Sequence, residues 1–270
     1  MLDTDSRFPH LFNLLAGSPS LNMWKALLLE YERSSPREAA FAARLLDVQE
    51  KIVGDIDDAN PLRWPRKRTL LQASTDDDTQ LNLRFELLVA WKLLSNGLAI
   101  EFENVGHASA PDLKVLESES FPSIYIEATT RDQRNAQVLP EIDHLFTGVF
   151  ATGGLTEALD KHIPKFLNTV KGKCIQSQLH DWNSNCLLIV DMTRYGIAWI
   201  RSIEYWQGTL QALDLPWAQI PYNGIAMSFT ALDHRDLNIA FLVNPSVAAN
   251  EAQNVKNIVR ILSTFEVSTN

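Results

Sequence analysis

The sequence predicts an α/β protein with an α-β-β-β-α-β core preceded by an N-terminal all-α arm, and three observations carry that prediction. The run Asn82-Leu83-Arg84-Phe85-Glu86-Leu87-Leu88-Val89-Ala90-Trp91 is an apolar helical pattern with one carboxylate set among its hydrophobes. Three short strand-like runs follow, at 98–103, 111–116 and 124–129, the first closed by the turn formers Asn104 and Gly106. A helical stripe from Ile163 to His180 then leads to Cys186-Leu187-Leu188-Ile189-Val190, the continuous apolar run of a strand covered on both faces.

Residues 1–74 read as a helical arm or small domain, and residues 75–270 as the α/β domain. Phe8, Leu11, Phe12, Leu14 and Leu15 recur at helical spacing, and Trp24, Leu27, Leu28 and Tyr31 follow. Ser34-Ser35-Pro36-Arg37-Glu38 has the chemistry of a helix start, and the helix from Ala39 to Val53 is expected to end near Gly54. Asp55 to Ser74 reads as a junction in which Arg63, Arg66, Lys67 and Arg68 interleave with Trp64 and Pro65. Such a stretch is either a solvated basic linker or a phosphate-contacting patch with a stacking ring. Asp76-Asp77-Asp78 suits the N-terminus of the next helix.

Beyond the third strand, residues 130–154 carry Arg131, Arg134, Asp143 and His144 with little regular pattern, as expected of a long loop facing substrate. Arg131 joins the candidate nucleic-acid contacts. After the buried strand, Ile197 to Leu213 is expected to be helical. Residues 224–229 and 237–242 read as paired strands, and Ala248 to Phe265 as a closing helix.

Composition narrows the class. In 270 residues, 46% hydrophobic content builds a core without disulfides, and Cys174 and Cys186 lack metal-binding or redox spacing. The acidic start Met1-Leu2-Asp3-Thr4-Asp5 is unlike a secretory signal, and no uncharged apolar run reaches the roughly 18 residues of a membrane span. A cytoplasmic protein is the expectation. The net charge of −9, from 24 basic and 33 acidic residues, disfavours broad adhesion to nucleic acid but allows a local basic groove. HExxH and GxSxG are absent.

Three carboxylates remain to be explained. Glu86 shares its helical face with Leu83, Ala90, Leu93 and Leu94, so it points towards the core and needs a cation, a donor or a proton. A buried salt bridge and an outer metal ligand are both open to it. Strand alternation puts Asp112 and Lys114 on one face and Tyr125, Glu127 and Thr129 on one face of the next strand. If those strands pair as a hairpin, Asp112 and Glu127 converge, an arrangement that suits Mg²⁺ or Mn²⁺.

Glu86, Pro111-Asp112 and Glu127-Ala128-Thr129, in this order of elements, resemble the PD-(D/E)xK, or restriction-endonuclease-like, nuclease superfamily over about Leu81 to Met192. The resemblance implies a Mg²⁺- or Mn²⁺-dependent endonuclease acting on DNA more than RNA, in restriction, defence or repair, with a homodimer as a compatible assembly. It implies that Asp112, Glu127 and the Ala128 carbonyl hold the metal and that Glu86 supports them from the helix. Where the family pattern has lysine, this chain has Thr129. Lys114, Lys165 or Lys173 would replace it, with Lys114 and Lys165 favoured for reach; Lys173 resembles the Lys-x-x-Gln placement of some superfamily variants. The alternative is a nuclease-like module with weakened turnover that binds nucleic acid or protein.

Overall fold

The computed structural model describes residues 7–22, 24–25, 33, 36–103, 111–119, 122–130, 166–174, 185–192, 203–213, 215, 217–229 and 235–263. Helices that precede the first strand include α1 (Pro9–Leu15), α2 (Pro36–Ala59), α3 (Trp64–Ala73) and α4 (Asp77–Ser95), and described residues 19–22 and 24–25 are helical as well. Helix α2 runs through Gly54 instead of ending there. Gly54 lies against His10, where an added Cβ would stand 3.1 Å from the ring, so this glycine serves a close helix approach and not a helix stop. The expected junction is likewise mostly helix, because Arg63-Trp64-Pro65 begins α3 with proline in its first turn.

Helix α4 has firm ends. The Asp76 carboxylate accepts the Thr79 N–H at 2.8 Å. At the other end Gly97 takes φ +78, the Gly97 N–H reaches the Leu94 carbonyl, and the Leu98 N–H reaches that of Leu93. That pair of bonds closes the helix and turns the chain into the sheet.

The strands are β1 (Ile100–Phe102), β2 (Leu113–Val115), β3 (Ile124–Thr130), β4 (Cys186–Asp191), β5 (Gly224–Phe229) and β6 (Asn238–Val243), in sheet order β1-β2-β3-β4-β5-β6. The β1–β2–β3 and β5–β6 pairs are antiparallel, whereas β3–β4 and β4–β5 are parallel. Between β3 and β4 the described residues 166–174 are helical (α5). Helices α6 (Ile203–Gln211) and α7 (Ala249–Ser263) follow later in the chain. The protein is therefore mixed α/β with a six-stranded mixed sheet.

Each face of the sheet is covered. Ile100, Phe102, Leu113, Val115, Ile124, Ile126 and Ala128 face a cluster that holds α4 and α7. Leu188, Val190, Ile225 and Met227 face a second cluster with Phe166 and Val170 of α5 and Trp206 and Leu210 of α6. Covered on both sides, β4 is buried along its whole length and apolar from Cys186 to Val190. The segment before residue 75 keeps no core of its own: Phe8, Leu11, Phe12, Leu15, Ile52 and Trp64 belong to the cluster that covers the first sheet face. Among the described residues no helix is long and apolar enough to cross a membrane.

This shared core has a direct consequence for truncation. A chain starting at residue 75 would expose the surface that α1 to α3 cover and is expected to lose its cooperative thermal transition in circular dichroism. A sharp transition retained by that fragment would show that the helical segment packs independently.

Candidate functional site

The site begins where β2 stops. Its ladder with β3 ends at the pair Leu113–Ile126, while β3 continues to Thr130. Pro111, which has no N–H to offer, lies two residues before the first residue of this short strand. In β3 the Tyr125 N–H points to the β4 side, where it meets the Asn185 carbonyl. By alternation the Ala128 and Thr130 amides face the opposite edge, beyond the end of β2. Two side chains take them: the Asp112 carboxylate accepts the Ala128 N–H at 2.9 Å, and the Asn82 side-chain oxygen accepts the Thr130 N–H at 2.7 Å.

Those two bonds fix the acids. Asn82 sits one turn before Glu86 on α4, and its side-chain N–H donates to Glu86 Oε1 at 2.5 Å. Glu86 is buried, and its other oxygen accepts from Lys67 Nζ of α3 at 2.5 Å. Glu127 is buried on the opposite face of β3, where Lys173 Nζ from α5 donates to its Oε1. Glu86 and Glu127 thus approach from the two sides of the sheet, and Asp112 stands between them at the end of β2.

Proximity shows in the protonation equilibria. Burial pushes the Glu86 pKa up to about 7, and the Asp112 charge adds to the rise, against the lowering by Lys67. Glu127 is pushed up to about 8, first by burial and then by Asp112, against Lys173. Asp112 is only half-buried, yet desolvation raises its pKa too, with Lys67, Lys173, the Ala128 N–H and a hydrogen bond from Glu86 all working the other way. For Lys67 and Lys173 burial favours the neutral amine, but the surrounding carboxylates outweigh it and both pKa values rise. Three acids and two ammonium groups form one electrostatic unit.

Lys114 places its ammonium 5.3 Å from the Tyr125 ring centre, and Lys165 and Arg131 are outside the described residues, as is His144. Thr129 is buried, and its hydroxyl donates to the Thr130 carbonyl. Lys67 of the junction is not a solvated charge but a buried one, whereas Arg63, Arg66 and Arg68 are partly or fully exposed. Arg63 pairs with Glu101 and Glu103, Arg68 with Asp57, and Lys67 with Glu86, while Arg66 is exposed. Trp64 is no stacking platform either; it is buried against Phe102 and donates to Asp57 at 2.8 Å.

Asn82 is the site residue that sequence reasoning missed, and Lys67, read there as a candidate phosphate contact, is found paired with Glu86. A helical reading of 64–73 would have flagged Lys67, which falls on one stripe with the buried Trp64 and Leu71. The Asn82–Glu86 spacing of four was a weaker signal. Both cysteines are buried thiols outside any disulfide. Burial pushes Cys174 up to about 11 and Cys186 well above the usual thiol range, so neither is poised as a nucleophile.

Among the described residues no group of three or more His, Cys, Asp or Glu side chains stands at the spacing of a metal site. Both glutamates are occupied by ammonium groups instead. No protein-family model, curated protein or solved structure matches this chain.

The raised carboxyl pKa values fix a sign for stability against pH. The folded chain holds the Glu127 proton above the ordinary 4.5 up to about 8, so its stabilisation is complete below 4.5 and is lost as pH rises through 8. Glu86 acts in the same sense up to about 7. Stability should therefore fall between pH 4.5 and 8, by about 1.4 kcal/mol per pH unit for each extra proton held. Urea unfolding across that range should give a shallower fall for Glu127→Gln. An equal slope in wild type and variant would mean that Glu127 titrates as an ordinary surface acid.

Proposed function

We propose that this protein is a metal-dependent nuclease with a PD-(D/E)xK-like core, hydrolysing phosphodiester bonds in DNA more than in RNA. The observation that carries the reading is the meeting of Glu86, Asp112 and Glu127 at the end of β2, with the Lys173 ammonium on Glu127. The element order α4-β1-β2-β3-α5-β4 supports it, with the acids on the helix, at the second strand and on the third.

The residues fit a hard divalent ion in chemistry and charge. Asp112 and Glu127 offer carboxylate oxygens, and the Ala128 carbonyl faces the same open edge as its N–H. With all three acids ionised against two ammonium groups, one negative charge is left in a desolvated place, and a bound cation would offset it and favour that ionised state. Asp112, Glu127 and the Ala128 carbonyl would hold Mg²⁺ or Mn²⁺. Bound there, the ion supplies a polarised phosphoryl oxygen and a water acidic enough to attack near neutral pH.

The chain's own groups do the rest. The Ala128 N–H and Glu86 orient Asp112. Lys173 takes the part of the missing motif lysine: its ammonium reaches the site from α5 and offsets charge on the scissile phosphate. Thr129 carries no charge and spends its hydroxyl on the backbone.

A second reading has its own observation. Both glutamates are already paired with lysine, an arrangement that balances most of the charge without any metal. On that reading the chain is a nuclease-like module that binds nucleic acid or protein without turnover.

One experiment separates the two. Full-length protein with Mn²⁺ or Mg²⁺ is expected to cut DNA, Asp112→Ala to abolish cutting, and Lys173→Ala to lower kcat by about 100-fold or more. Mn²⁺ should also raise the melting temperature, and Glu127→Ala should remove that rise. Cleavage undiminished in Asp112→Ala would overturn the assignment. DNA binding indifferent to EDTA, with no cutting, would establish the second reading.

A further inference from the structure

The two lysines of the cluster are held differently, and the difference bears on how many ions the site accepts. Lys67 reaches Glu86 from α3 with its side chain only 6% exposed, and its ammonium lies 5.8 Å from the Phe102 ring centre. Trp64, one turn earlier on the same stripe, packs on that ring as well, so the helix and strand wall this lysine in. Lys173 keeps 26% of its side chain exposed where it meets Glu127. A long side chain with its end partly in water swings aside at small cost, whereas withdrawing a walled-in ammonium leaves a buried carboxylate bare.

We infer that Lys67 is the fixed counter-cation of Glu86 and restricts the site to one divalent ion, bound on the Asp112–Glu127 side. This rests on the metal-dependent reading above and deepens it. A two-ion phosphodiesterase site needs carboxylates on both sides of the scissile phosphate, with ions about 4 Å apart. Glu86 is the acid available for a second ion, and its two oxygens are taken by Lys67 and Asn82 at 2.5 Å each. An incoming cation competes with Lys173 for Glu127, because that ammonium can leave. It does not compete with Lys67 for Glu86, because that ammonium has nowhere to go. Lys67 is thus a positioning residue: it touches neither ion nor substrate and holds Glu86 against Asp112. Since Lys67 belongs to α3, the segment before residue 75 completes the site as well as the core.

The test counts ions in the full-length protein. Isothermal titration with Mn²⁺ is expected to give one site per chain, and the electron paramagnetic resonance spectrum should be that of an isolated Mn²⁺. In Lys67→Met, Glu86 is released, and a second Mn²⁺ should bind with the exchange-coupled spectrum of a neighbouring pair. The double variant Lys67→Met/Glu86→Gln removes both buried charges, so it guards against misfolding of the single variant, and it should return to one ion. Two ions in the wild type, or a folded Lys67→Met that still takes one, would overturn the inference while leaving the nuclease reading intact. No Mn²⁺ bound by the wild type and no DNA cut would overturn both.

Discussion

The constraint on which this molecule turns is a strand that ends early. The β2–β3 ladder ends at Leu113 while β3 runs on to Thr130, which leaves the Ala128 and Thr130 amides facing an edge with no neighbouring strand among the described residues. A peptide N–H in a buried sheet cannot be left without an acceptor at small cost. Asp112 and Asn82 supply the acceptors, and in doing so each becomes fixed. Asn82 then passes its own N–H to Glu86, so the repair of the sheet edge also aims the helix carboxylate. Geometry that resembles a designed acid cluster follows from satisfying two backbone groups.

As a contribution to stability, the cluster is poor. Burying carboxylates and ammonium groups costs more desolvation than their attraction returns unless every partner is well placed. The raised pKa values of Glu86, to about 7, and Glu127, to about 8, mean that the two lysines do not fully compensate for burial and mutual repulsion. Apolar residues of similar volume would serve the fold better. Places where several acids are held against their own titration are where chemistry is concentrated in proteins, and that is the physical ground for the functional reading proposed for this cluster.

The elements were legible because each announces itself locally. The Glu86 helix, the three short strands, the buried apolar β4 and the β5–β6 hairpin all fall where periodicity puts them. The junction was not, because Arg63, Arg66, Lys67 and Arg68 look like a solvated row until the helix phase is known. Once 64–73 is a helix, Lys67 shares a stripe with Trp64 and Leu71 and turns inward. Gly54 misled for a related reason: a glycine that permits a close approach by His10 is spelled the same as one that ends a helix. Asp112 and Glu127 were visible as strand acids, but no pattern in either strand tells that the ladder between them stops one pair short. The choice among Lys114, Lys165 and Lys173 turned on which helix lies over which face, and that is a tertiary fact.

The same face logic accounts for the threonine at position 129. Tyr125, Glu127 and Thr129 alternate onto the side of β3 where α5 packs, the side on which Phe166, Val170 and Cys174 join the second core cluster. A lysine at 129 would carry its ammonium to the neighbourhood of Glu127 from along the strand; Lys173 brings one to the same carboxylate from above. Two ammonium groups on one buried glutamate would repel each other. A small hydroxyl residue that satisfies itself on the Thr130 carbonyl avoids that conflict. Thr129 and Lys173 are therefore compatible neighbours: the helix supplies the ammonium at Glu127, and the strand position beside it is neutral.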